Sequence, residues 1–173
     1  HILLNAVDAA AVGVVIAVWL FCAILYVLQV SPVAFRLMNT RAGCEVSDLW
    51  AWIGAAFVLC GILLEAGADA QKSAAKKRNP KRFVDTGLYR IVRCPNYLGE
   101  ITFWTGVFIS GITAYKTVGQ WIMAVIAYVA IVYIMFNGAQ RLEKRQMARY
   151  GDDPVYNDYA NKTPIILPLL PIY

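Results

Sequence analysis

Histidine is nearly absent: His1, at the end of the chain, is the only one in 173 residues. No imidazole is therefore available inside the sequence as an acid, base or metal ligand, and any proton donor would have to be Tyr, Glu, Asp, Lys or water. Cysteine is sparse too. Cys22, Cys44, Cys60 and Cys94 form no C-x-x-C pair, and two of them sit in apolar runs. Neither a zinc site nor a disulfide framework is expected, and no metal is assigned. Charge is the third scarcity, with 16% charged residues against 60% hydrophobic ones and a mean hydropathy of +0.54. One globular core of this size cannot hide so much apolar surface, so a soluble domain is excluded and lipid must take the remainder. Internal repeats, low-complexity tracts and heptads are also missing, which leaves a single domain over residues 1–173 as the simplest organisation.

The few charges are segregated. No charged residue falls between Asp8 and Arg36, Asp48 and Glu65, Glu100 and Lys116, or Lys116 and Arg141, leaving gaps of 27, 16, 15 and 24 residues. A helix needs about 20 residues to cross the hydrocarbon core, so the first and last gaps suffice alone. The middle two need their flanks, the second through Glu65 to Asp69 and the third from Leu98. The expected fold is all-α: an integral membrane bundle of about four transmembrane helices with a basic loop and a C-terminal helical extension. The first span is too long, and lacks the basic flank and cleavage site, for a signal peptide.

Along the chain, the first helix is expected from Leu4 to Val30, stopping at Ser31-Pro32 because proline disfavours helix in the residue before it. The second begins at Ser47-Asp48, with Trp50 and Trp52 at interfacial level. A basic stretch from Lys72 to Arg93 leads to Pro95 and a third helix over Leu98–Ala114. The fourth runs from Gln120 to about Phe136 and continues as a polar extension to Tyr150, before a Pro- and Tyr-rich tail. Eight Lys and Arg lie in residues 71–98 and five in 137–173, against Arg36, Arg41 and Lys116 on the opposite side. This asymmetry places the N-terminus, the basic loop and the tail together on the cytosolic or equivalent face.

The segment Asp85–Glu100 (DTGLYRIVRCPNYLGE) is the richest in chemistry. Arg90 and Arg93 offer bidentate forks for phosphate, and Asn96, Tyr97 and Glu100 add an amide, a ring and a carboxylate at a helix mouth. Such a mouth suits a phosphate-bearing or nucleotide ligand, with Gly99 admitting the ligand close to the backbone. The bland alternative for the arginines is positive-inside charge beside lipid headgroups. Glu65 and Asp69 read equally as membrane-boundary functional acids or as a helix end snorkelling to the interface. Glu143, Lys144 and Arg145 read first as a solvated helix face. No feature points to nucleic acid.

The order G-L-Y-R-x-x-R-C-P-N-Y-x-G-E, preceded by L-E-A-x-A-D-x-Q and followed by L-E-K-R, Y-G-D-D-P-x-Y-x-x-Y and T-P-I-I-L-P, resembles the C-terminal half of the steroid 5-alpha-reductase-like membrane family over residues 50–168. That family is related to sterol reductases and isoprenylcysteine carboxyl methyltransferases. The resemblance implies NADP(H) as cofactor in the reductase branch, or S-adenosylmethionine in the methyltransferase branch. It implies cofactor contacts at Arg90, Arg93, Asn96, Tyr97 and Glu100, with Arg141 and Arg145 on the polar extension beside Glu143 and Lys144. Glu65 and Asp69 match acids of the preceding helix end, and Tyr156 and Tyr159 match aromatic positions of the tail. Cys94 departs from the histidine that methyltransferases carry before the proline, and the Asn-Tyr-x-Gly-Glu ending favours the reductases. The implied activity is NADPH-dependent reduction of a lipid or steroid-type enone; a structural subunit of a larger membrane complex and a methyltransferase are the alternatives. The expected partners are membrane lipids, a lipid or steroid substrate, or other subunits, in an endoplasmic reticulum, mitochondrial or plastid membrane. No catalytic acid is named.

Overall fold

The computed structural model describes residues 2–168, so His1 and the last five residues of the tail lie outside the description. Five α-helices follow in order: α1 Ile2–Arg41, α2 Asp48–Arg78, α3 Pro95–Ser110, α4 Val118–Tyr150 and α5 Pro154–Lys162, with a 3-10 turn at Gly87–Arg90. No strand occurs among the described residues. Three helices, α1, α2 and α4, are long and apolar enough to cross a membrane. With only 16 residues, α3 is about 24 Å long and falls short of that length. It lies antiparallel along α2, with Gly99 against Gly61 and Glu65 and Gly106 against Gly54 and Val58.

Four glycines explain how closely α2 and α3 approach. A Cβ added to Gly54 would lie 2.5 Å from the Gly106 carbonyl oxygen, and one on Gly61 would lie 2.5 Å from the Phe103 amide nitrogen. Gly99 and Gly106 are filled in the same way by the backbone of α2. Both pairs are seven residues apart, two turns, so each helix presents one glycine stripe to the other. In lipid, where apolar burial drives nothing, such backbone proximity and its dispersion contacts hold helices together. Gly99 therefore admits a neighbouring helix rather than a ligand.

Two expected boundaries are corrected. The helix expected to stop at Ser31-Pro32 continues through Pro32 to Arg41. Tertiary packing overrides the local penalty: Gln29 and Ser31 are buried, and Pro32 faces Trp104, Phe108 and Tyr128 of α3 and α4. Beyond the proline, Asn39 Nδ2 donates to the Ala114 carbonyl at 2.6 Å, and Arg36 pairs with Asp48 at 2.6 Å while donating to the Ser47 and Ser110 carbonyls. Those anchors hold the end of α1 against the bundle and make up for the lost helical hydrogen bond. In contrast, the apolar residues of α1 from Val12 to Val27 are mostly exposed, Trp19 by 73%.

The second correction concerns α2, which runs on through the basic stretch to Arg78. Straight-chain Lys and Gln and repeated Ala have high helix propensity, and Lys76, Lys77 and Arg78 in the last turn suit the negative end of the helix dipole. The polar end of α2 and the polar end of α4 thus project together past α3. Between them sits the candidate site.

Candidate functional site

The site is assembled by a relay of contacts from α2 to the tail. Gln71 Oε1 accepts from the Leu88 amide at 2.9 Å, seating the 3-10 turn on α2. Gly87 takes φ +62°, which favours glycine, and a Cβ there would push aside the Gln71 amide that holds the turn. The Tyr89 hydroxyl reaches the Ala68 carbonyl at 3.3 Å, and the Tyr89 carbonyl accepts from the Tyr159 hydroxyl at 2.6 Å. The tail returns as a short extended segment: the Arg93 and Cys94 amides donate to the Pro164 and Ile165 carbonyls at 2.9 and 2.8 Å. Capped by Cys94 and opened by Pro95 at its first position, α3 starts from that fixed point.

Arg93 crosses from this turn to α4. Its Nη1 donates to Glu143 Oε1, which also accepts from the Tyr156 hydroxyl at 3.2 Å. The Arg93 side chain is 5% exposed and that of Glu143 17%, so the pair is largely shielded from water. Arg93 Nε is left buried without a partner. Phe83 stacks on Tyr159 at 5.5 Å between centroids and meets Tyr156 edge-on at 5.1 Å, forming an aromatic wall. Lys76 is spent on structure: its ammonium donates to the Arg82 carbonyl at 2.5 Å and to the Tyr150 hydroxyl at 3.0 Å.

Together these elements enclose a recess with an empty volume of about 530 Å³, its open mouth included. Lys72, Arg93, Asn96 and Gln146 line it beside Cys94, Glu143, Tyr89, Tyr156 and Tyr159. The side chains of Lys72, Asn96 and Gln146 form no hydrogen bond with other described residues. With the Arg93 side chain beside them they bring one ammonium, two amides and a guanidinium together around the recess. That set of donors suits phosphate or carbonyl oxygens, and the amides can also accept from hydroxyls.

Burial sets the proton affinities here. The Cys94 thiol is pushed up from its ordinary 9.0 to about 12, first by burial and then by Glu143, against the opposing charges of Arg93 and Lys72. Burial, then Glu143, raises the Tyr156 phenol to about 12. Tyr89 and Tyr159 are raised as well, mainly by burial. All these groups stay protonated at neutral pH. Since the thiolate is the nucleophile, Cys94 is expected to resist N-ethylmaleimide at pH 7.5 in the folded protein and to react on unfolding. Peptide mass spectrometry before and after denaturation checks this, and rapid labelling of folded Cys94 would contradict the burial. Folded-state values above the unfolded ones also mean that the folded protein holds more protons from about pH 9 to 12, so stability falls as pH rises through that window.

Of the residues expected from sequence, Arg93 and Asn96 line the recess. Tyr97 does not: its ring lies against Gly138 of α4, within the cluster of Cys94, Ile101 and Ala139. Glu100 accepts from Trp104 Nε1 at 2.8 Å and sits within Coulombic reach of Glu65 on α2, away from the recess. Arg90 is exposed at the end of the 3-10 turn, and Arg141, Lys144 and Arg145 are exposed on the outer face of α4. Glu143 belongs to the inner face, with Leu142 and Gln146. Lys76, Phe83 and Gln146 were not anticipated. Lys76 and Gln146 had a periodic signal: Lys72 and Lys76 are four apart on α2, and Glu143 and Gln146 three apart on α4, so each pair shares a face, whereas Phe83 lies between helices and had none.

A helical membrane protein whose polar ends close over a cation- and tyrosine-lined recess is the class that fold and site define. The chain belongs to the family described as Protein of unknown function (DUF1295), which matches residues 3–163. It is similar to the uncharacterized protein C594.04c of Schizosaccharomyces pombe, 29% identical over 169 residues that cover 84% of this chain and 46% of that protein. The chain therefore spans about half the length of the curated relative it matches. No solved structure matches.

Proposed function

We propose that this chain forms the cofactor-holding part of a membrane reductase of the steroid 5-alpha-reductase-like kind, using NADP(H) to reduce an activated carbon-carbon double bond of a lipid or steroid-type enone. The observation that carries the reading is the convergence of Lys72, Arg93, Asn96 and Gln146 on one recess, next to the R-C-P-N turn that resembles that family. These residues fit the phosphate and ribose portions of a dinucleotide. Lys72 and the Arg93 guanidinium would meet phosphate oxygens, while Asn96 and Gln146 would meet ribose hydroxyls or amide edges. When bound, the nicotinamide supplies a hydride to the electron-poor carbon. Tyr156, Tyr159 and Phe83 would exclude water from the recess and present flat faces to a ring. The Arg93–Glu143 pair fixes the turn, so the donors keep their positions without reorganising when a ligand arrives.

Calorimetric titration of the detergent-purified protein tests the proposal, with NADPH and S-adenosylmethionine as competing ligands. NADPH is expected to bind in the micromolar range. The Lys72→Ala, Asn96→Ala double variant should weaken it by tenfold or more, because a hydrogen bond to a charged group contributes roughly 1.5–3 kcal/mol. Preference for S-adenosylmethionine would assign the methyltransferase reading. Binding of neither ligand by intact protein would end the enzyme reading in favour of a structural subunit.

A further inference from the structure

A second polar site lies within the membrane layer, where a lone polar group is most costly. Gln29, in the middle of a membrane-spanning helix, is 3% exposed, and neither its amide nitrogen nor its amide oxygen has a hydrogen-bond partner. It lines a small notch between α1, α3 and α4, with an empty volume of about 190 Å³ when its open side is included, walled by Pro32, Trp104, Phe108, Ala127 and Tyr128. Without water to take up those bonds, a buried amide keeps its full desolvation penalty unless another group completes it.

The Tyr128 hydroxyl is already engaged: Thr105 Oγ1 donates to the Ile101 carbonyl at 2.7 Å, so the 2.9 Å bond between Thr105 and Tyr128 must be donated by the tyrosine, toward a residue that does not line the notch. Gln29 is left with free donors and a free acceptor. Its complement must both donate and accept. An ether or a ketone only accepts and would leave Gln29 Oε1 unpaired, whereas a hydroxyl does both.

We propose that this notch is a hydroxyl-binding subsite that seats the head of an apolar alcohol, with Gln29 donating to and accepting from the hydroxyl. Water carries the same chemistry. The remaining lining is apolar and aromatic and the outer flanks of α1 and α4 are exposed hydrophobics, an environment that suits an alkyl or ring body attached to the hydroxyl. The subsite shares no lining residue with the recess at the polar end, so it stands or falls independently of the cofactor reading.

Photolabelling the full chain in lipid nanodiscs with octanol bearing a diazirine at carbon 3 decides the matter. Saturable labelling is expected on Trp104, Phe108 or Tyr128, displaced by excess 1-octanol and not by its methyl ether. Gln29→Leu should reduce it by about tenfold or more, since it removes both halves of the recognition. Ala127→Leu, which fills the notch and leaves the amide in place, should abolish it too; this variant decides the outcome if Gln29→Leu fails to fold by thermal unfolding. Equal competition by the ether, or labelling undiminished in either folded variant, would overturn the proposal. So would an absence of labelling at the notch, which would assign the site to water alone.

Discussion

Gly61→Val is expected to drive α2 and α3 apart and to cost roughly 3 kcal/mol or more of stability, above the usual range for an overpacked core. The added Cβ would sit 2.5 Å from the Phe103 amide nitrogen and 2.7 Å from the Gly99 carbonyl oxygen, and backbone cannot swing aside as a flexible side chain can. Separation at this point would also loosen Gly54 against Gly106, two turns away, so the damage spreads along the whole contact. Gly13→Val is the matched control, because nothing lies within 4 Å of a Cβ there. Unfolding by graded SDS or heat in detergent, followed by circular dichroism, would separate the two. If the variants melted together, the close helix contact would be wrong.

Removing one member of the Arg93–Glu143 pair should be nearly as damaging. Arg93→Met leaves a shielded carboxylate with only the Tyr156 hydroxyl, and Glu143→Leu leaves a buried guanidinium with nothing. Each is expected to cost about 3–5 kcal/mol, the range for stranding one charge of a buried pair. The double variant Arg93→Met, Glu143→Leu should cost less than either single change, because two apolar side chains of similar volume avoid both desolvation penalties. Denaturation of all four proteins in a double-mutant cycle gives the coupling. A double variant that loses the sum of the singles would show that the two residues act separately.

These expectations indicate where sequence reading succeeds and where it stops. Charge-free gaps located α1, α2 and α4, because lipid punishes an unpaired charge at any register and so leaves a plain mark in composition, but the same mark also fell on α3, which is too short to cross. Pro32 misled, since its penalty is local while the contacts of Gln29, Ser31, Arg36 and Asn39 that override it come from distant residues. The seven-residue spacings of Gly54 and Gly61 and of Gly99 and Gly106 went unread, and Gly99 was read for a ligand, because nothing in one helix says which neighbour will lie against it. At the recess, the R-C-P-N turn was legible as a motif. That Arg93 points inward and Arg90 outward depends on the 3-10 turn, whose register is set by Gln71 and Tyr159 from either side. Gln29 carried no local signal beyond being polar in an apolar run.

The tail's return to the turn also bears on biosynthesis. The chain emerges from the ribosome N-terminus first, so α1 to α4 can enter the bilayer while residues 154–165 are still unmade. Until those residues arrive, Tyr89 lacks the hydroxyl of Tyr159, the Arg93 and Cys94 amides lack their carbonyls, and Glu143 lacks Tyr156. Insertion into the membrane and completion of the recess are then separate events, and a chain terminated before Tyr156 would carry all the long apolar helices and an unfinished recess.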